Sequence, residues 1–167
     1  LCSSTKQIPQ IQAICEAIAR DMGDRLADGS HALPTWSAIA AAGEARLRAA
    51  KLGYRARYIH QTALYLASRP GWLEATERAP THQARARLME LPGVGRKIAD
   101  CTLLFGAGRL EAFPIDTWVE KILTRAYLLE GWKLPQLQDF ARIHFGNTSG
   151  YAQQYLFAAA RAGYIPS

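Results

Sequence analysis

Apolar residues recur along this chain at the three-to-four spacing of amphipathic helices, and strict strand-like alternation is absent. Ile8, Ile11, Ile14, Cys15, Ile18 and Met22 mark one face of a first helix, with Pro9 suited to its opening turn and Gly23 to its stop. Thr35 is placed to cap a helix over residues 36–42, closed by Gly43. Residues 44–52 read as a short basic helix stopped by Gly53, and 54–68 as a longer one ended by Pro70-Gly71. A short segment follows to Arg78, and Thr81 caps a helix reaching Glu90. After a turn at Pro92-Gly93-Val94-Gly95, residues 96–105 are helical and stop at Gly106-Ala107-Gly108. Residues 110–114 read as an extended connector; Asp116 caps 117–129, Pro135 starts a helix to Phe145, 146–150 form a loop, and 151–162 are the last helix. The pattern predicts an all-α chain of about nine or ten short helices, without repeats or low-complexity linkers.

A length of 167 residues suits one domain, or two small subdomains sharing a core, and an apolar content of 49% is ample to fill it. The net charge of +6 makes a polyanionic partner plausible, although composition alone fits a merely soluble basic protein equally well. The basic residues are clustered. Arg46, Arg48, Lys51, Arg55 and Arg57 follow one another with no acid between them, and Arg85, Arg87, Arg96 and Lys97 form a second group. Both groups surround turn glycines, where a chain can approach a phosphate backbone closely.

The three cysteines, Cys2, Cys15 and Cys101, form no CxxC and no pairing with histidine, which argues against a disulfide framework, a zinc site or a four-cysteine cluster. Reduced thiols point to an intracellular protein. No apolar run approaches the ~20 residues of a membrane span. The chain lacks an initial Met and opens on an apolar start, so an upstream region is expected to precede it.

Candidate chemistry concentrates at Leu91-Pro92-Gly93-Val94-Gly95-Arg96-Lys97-Ile98-Ala99-Asp100-Cys101. Two helices joined through Gly93-Val94-Gly95 form a helix-hairpin-helix over about residues 81–108. Both glycines permit positive φ and expose backbone N–H groups at a helix N-terminus, where a phosphate is the natural ligand, with Val94 tucked between the helices. On spacing alone, an ordinary αα turn explains the GxG. Lys97 by itself reads as a solvated helix lysine, yet the cation is disfavoured at a helix N-terminus and a neutral amine is a nucleophile. Asp116, 19 residues on, reads as an N-cap. Cys101 is one turn after Lys97 on the same face and reads as a buried thiol; Phe157 reads as core.

The hairpin segment, followed by Phe113-Pro114-Ile115-Asp116-Thr117-Trp118-Val119, resembles the helix-hairpin-helix (HhH-GPD) DNA glycosylase superfamily, and more narrowly its 8-oxoguanine DNA glycosylase branch. Leu1-Cys2-Ser3-Ser4, Leu52-Gly53-Tyr54-Arg55-Ala56-Arg57-Tyr58-Ile59, Gly150-Tyr151-Ala152-Gln153 and Leu156-Phe157 agree, so the resemblance runs through the whole chain in order. It implies one glycosylase core over 1–167, with two helical subdomains flanking a cleft. Lys97 is implied as the nucleophile that attacks C1′ of the damaged nucleotide and forms an imine. Asp116 then stabilises the oxocarbenium-like sugar and helps to position or deprotonate the amine. Monofunctional relatives keep the aspartate and lack the lysine, so a bifunctional glycosylase and AP lyase is implied. Cys101 and Phe157 would pack on the two faces of the flipped base, with Gln153 on its Watson–Crick edge. Gly93, Val94, Gly95 and Arg96 would hold the DNA backbone, Tyr54 would wedge into the stack, and Arg55 would read the estranged cytosine.

The resemblance also carries departures. Thr5 and Gln10 stand where the eukaryotic-type pattern has Asn and Arg, which implies weaker discrimination of the base opposite the lesion. Trp118 replaces a His, as in bacterial relatives. In the eukaryotic-type pattern a backbone carbonyl of an N-terminal β-rich domain reads N7–H; that region would lie upstream of residue 1, so either it is missing from this sequence or the reader is different. The implied partner is damaged double-stranded DNA, bound by a monomer without a membrane, in the cytoplasm or nucleoid of a bacterium or a eukaryotic nucleus. No cofactor or metal is required for the chemistry; a monovalent or divalent cation at the hairpin carbonyls would be structural. The rival readings are a glycosylase for alkylated purine, against which Gln153 and Phe157 argue, and a non-catalytic DNA-binding module, which would need neither Lys97 nor Asp116.

Overall fold

A computed structural model describes residues 1–2 and 7–165. Among the described residues the chain is helical: α1 (Ile8–Met22), α2 (Trp36–Ala49), α3 (Arg55–Ala67), α4 (Trp72–Arg78), α5 (Thr81–Leu88), α6 (Arg96–Cys101), α7 (Thr117–Ala126), α8 (Leu134–Phe145) and α9 (Ser149–Arg161). A π-helical turn, Thr102–Gly106, extends α6, and a 3₁₀ turn, Gly146–Thr148, leads into α9. The all-α expectation therefore holds. Two compact units divide the chain, Leu1–Thr76 with Met89–Val94, and Glu77–Leu88 with Gly95–Ser167.

The first unit is built on α1, α2 and α3. Ile14 and Ile18 meet Ile39, Leu47, Leu52 and Ile59 in its core. Ala56 and Ala63 are fully buried on α3, and such small side chains let a neighbouring helix come close. The Thr35 hydroxyl accepts from Ala38 N at 3.1 Å, the expected cap. Gly43 breaks α2 with φ 78°, ψ 166°, so the expected helix boundary appears as a kink between two abutting segments.

The second unit gathers α7 and α8 around Phe113, Ile115, Val119, Leu123, Leu137 and Ala141. Phe113, on the connector ahead of α7, stacks on Phe145 at the end of α8, with centroids 5.7 Å apart. The connector departs in part from the expected extended run: it opens on a turn at Leu110 and Glu111, closed by Ala112 N donating to Arg109 O at 3.0 Å, continues without regular structure over 112–116, and is tied down. Arg109 Nη2 donates to Glu77 O at 2.6 Å, and the Thr81 hydroxyl donates to the Glu111 carboxylate. That bond from Thr81 holds the Glu111 carboxyl below its ordinary range.

Several helix ends differ from expectation. Thr81 lies inside α5, and its hydroxyl serves Glu111 instead of a cap. α5 stops at Leu88, two residues early. α7 stops at Ala126 because Leu128 takes φ 56°, which turns buried Leu129 into the core while Leu128 stays exposed. α9 starts at Ser149, inside the expected loop.

Candidate active site

The hairpin turn is made by Met89 to Gly95. Val94 N donates to Leu91 O at 3.0 Å, and Val94 itself is half-buried. Gly93 is required twice over. Its φ is 74°, and a Cβ there would stand 2.6 Å from the Tyr58 ring. Gly95 does not use the positive φ that it permits. Its backbone is extended, with φ −88° and ψ 177°, and a Cβ would meet nothing within 4 Å. Gly95 is the N-cap of α6 and supplies no capping side chain, so the first-turn amides remain available to an outside acceptor.

α6 sorts its side chains onto two faces. Lys97 and Cys101 share one, both half-buried. On the other, Asp100 is only 2% exposed and accepts from Arg85 Nε of α5 at 2.5 Å, while Arg96 Nε stands 3.7 Å from its second oxygen. Burial pushes the Asp100 carboxyl up, and the two arginines only partly oppose it. Arg96 is therefore partly committed inside the protein. Asp100 was not singled out from the sequence, although an acid inside the run Ile98-Ala99-Asp100-Cys101 is the signal that marks it. The π-helical turn that follows left no trace in the periodicity; Ala107 N reaches back to Thr102 O at 3.2 Å.

Asp116 caps α7 as expected. Its Oδ1 accepts from both Trp118 N at 3.0 Å and Val119 N at 2.9 Å, which leaves Oδ2 outside the cap. Asp116, Lys97 and Cys101 share one electrostatic neighbourhood. Burial raises the Cys101 thiol above its ordinary range, the nearby Lys97 charge pulls it down, and the Asp116 and Asp100 carboxylates push it up again. A thiol so held stays neutral and is a poor nucleophile.

α9 carries the other two pocket candidates. Gln153 is 5% exposed, and its carbonyl oxygen accepts from the Gln154 amide. Phe157 is half-buried and meets exposed Trp118 edge-on, with centroids 6.4 Å apart, so it lies against the first turn of the helix that Asp116 caps. The Arg161 guanidinium stands 5.9 Å from its ring centre.

In the first unit, the loop ahead of α3 presents Tyr54, 56% exposed, after left-handed Lys51 (φ 61°) and Gly53 (φ 59°). Tyr54 meets Tyr58 edge-on at 6.3 Å, and Tyr58 in turn occupies the space that Gly93 leaves, so the exposed ring and the hairpin turn brace each other. Arg55 departs from its expected place. It is 4% exposed, donates to Leu52 O at 3.2 Å and lies under the Tyr54 ring at 4.5 Å. In this arrangement its guanidinium lies beneath the exposed Tyr54 ring and is not presented at the surface. Gln10 is exposed and accepts from Gln7 N at 3.2 Å; Thr5 lies outside the described residues. Among the described residues, no group of His, Cys, Asp and Glu side chains could hold a metal ion, and no helix is long and apolar enough to cross a membrane.

The uncapped first turn of α6 and the neighbourhood that joins an amine, a carboxylate and a neutral thiol thus lie in one compact unit. Residues 1–143 match the HhH-GPD superfamily of base excision DNA repair proteins, and the chain belongs to that family. It is 38% identical over 115 residues to a probable N-glycosylase/DNA lyase of Methanothermobacter thermautotrophicus, covering 69% of this chain and 36% of that protein. Against the N-glycosylase/DNA lyase OGG1 of Arabidopsis thaliana the identity is 35% over 173 residues, covering 95% of this chain and 47% of the relative. The Clostridium acetobutylicum 8-oxoguanine glycosylase/lyase, solved with double-stranded DNA containing cytosine opposite 8-oxoguanine, superposes with a TM-score of 0.91 at 32% identity, covering 98% of this chain and 58% of that one. The chain thus spans about a third to a half of the length of these two curated relatives.

Proposed function

We propose that the protein is a base-excision repair DNA glycosylase and AP lyase that removes oxidised purine, foremost 8-oxoguanine, from duplex DNA. The observation that carries this reading is the shared neighbourhood of the Lys97 amine, the Asp116 carboxylate and the neutral Cys101 thiol. The hairpin amides hold a backbone phosphate, Tyr54 fills the stack, and the extruded purine lies between Cys101 and Phe157 with Gln153 on its edge. The Lys97 nitrogen donates its lone pair to C1′, and the N-glycosidic electrons leave with the base, which takes up a proton. The Asp116 Oδ2 faces the cationic sugar while Oδ1 keeps the cap. The sugar ring then opens to an imine, and loss of a C2′ proton expels the 3′ phosphate and nicks the strand. The reading assigns no step to a metal ion; a cation at the hairpin carbonyls would be structural. It places the protein inside the cell, acting as a monomer.

The test is borohydride trapping on a duplex carrying 8-oxoguanine. The parent protein yields a covalent adduct and Lys97→Gln yields none; DNA binding with neither adduct nor base release would leave only a binding module. Excision from duplexes with each of the four opposite bases checks the consequence of Thr5 and Gln10. Rates are expected to agree within about tenfold, and a strong preference for cytosine would sink that point.

A further inference from the structure

Gly150 is a glycine with no conformational reason to be one. Its φ is not positive, and it sits in the first turn of α9. Its reason is steric. A Cβ there would stand 2.2 Å from Ala112 O, 2.6 Å from Leu104 Cδ1 and 3.0 Å from Leu110 O. Two of these three are backbone oxygens, which cannot swing aside. The same place is hydrogen-bonded: Gly150 N donates to Leu110 O at 2.7 Å, and the Ser149 hydroxyl, 1% exposed, donates to Glu111 O at 3.0 Å. The start of α9 is thus seated backbone-to-backbone on residues 110–112. Gln153 follows Gly150 by one helical turn and Phe157 by two.

We infer that Ser149 and Gly150 are positioning residues for base recognition: they fix where α9 begins on the connector, and so where Gln153 and Phe157 stand. This rests on the glycosylase reading and deepens it. The connector does not yield in their place. Ala112 is fully buried, Phe113 and Ile115 lie in the core, and Phe113 is stacked on Phe145. A side chain at position 150 therefore lifts α9, whereas Lys97 on α6 and Asp116 at the head of α7 keep their places. Base excision, which needs the pocket, separates from strand nicking at a ready-made abasic site, which needs only the amine and the carboxylate. Neither the glycine nor the serine touches the base; both act through the helix they seat.

The experiment uses Gly150→Ala and Ser149→Ala on two duplexes, one with 8-oxoguanine opposite cytosine and one with a preformed abasic site. Single-turnover base release falls by about 10–100-fold in Gly150→Ala, the scale of a misplacement near 1 Å. It falls by about threefold in Ser149→Ala, which loses one hydrogen bond without a clash. Borohydride trapping at the abasic site stays within about twofold of the parent in both. Parallel loss of release and trapping in Ser149→Ala, with its melting temperature kept, overturns the inference, as does unchanged release in Gly150→Ala. A parent protein inactive on both duplexes sinks the glycosylase reading instead. A crystal structure of Gly150→Ala then decides the seat without any activity: α9 displaced over an unmoved connector supports it, and α9 in place overturns it.

Discussion

α6 and α9 bring the candidate amine and the candidate base-reading side chains, and they are held by different forces. α6 is tied to α5 through the Asp100 carboxylate, which takes Arg85 at 2.5 Å and Arg96 at 3.7 Å. α9 is seated on main-chain oxygens through Gly150 N and the Ser149 hydroxyl. A charged tie titrates, and it costs desolvation before it stabilises anything. A backbone seat does not titrate, but it tolerates no added atom. The hold on α6 is therefore sensitive to pH and charge, and the hold on α9 to volume.

Asp116 gives the largest expected effect, because it stands at the junction of the two: its helix carries Trp118, which meets Phe157 of α9, and its charge reaches Cys101 of α6. Asp116→Asn keeps a good N-cap, so the melting temperature should hardly move while excision falls by about 10²–10³-fold. Asp116→Ala should lose the same activity and a further ~1 kcal/mol of stability. Equal stability losses in the two variants would show that the carboxylate's charge, and not its capping geometry, holds α7.

The contrast between the two helices also explains what could be read from the residues alone. Helix periodicity, the hairpin and the Thr35 and Asp116 caps were legible because each is a local signal of spacing or capping chemistry. The clustering of Lys97, Cys101 and Asp116 came through a resemblance that spans the chain. What escaped was non-local. The Arg85 to Asp100 tie joins positions 15 apart in the chain, and the Gly150 seat joins positions 38 or more apart. Gly150 looks like any loop glycine until its neighbours are known. The resemblance implies an Arg55 that reaches a base; here its guanidinium finds a carbonyl and an aromatic face beneath Tyr54. Gly93 and Gly95 look alike in the sequence, yet only Gly93 takes the left-handed region.

The smaller effects probe the charged tie. Arg85→Ala leaves the Asp100 carboxylate buried without its nearest partner and should cost up to about 3 kcal/mol, read as a lower denaturation midpoint. Asp100→Asn should cost much less, because the parent carboxylate is itself held above its ordinary range by burial. The sign of its pH dependence follows. A carboxyl raised in the folded state takes a proton more readily there than in the unfolded chain. Its contribution to stability is therefore most favourable at low pH and is lost as pH rises from the unfolded value of about 3.9 through the raised folded value. Asn does not titrate, so it supplies the baseline. The melting temperature of the parent minus that of Asp100→Asn should fall as pH rises through that window and then level off. A difference that grows with pH instead would mean that the Arg85 pair outweighs desolvation, and that α6 is held by a net favourable charge and not by one carried at a cost.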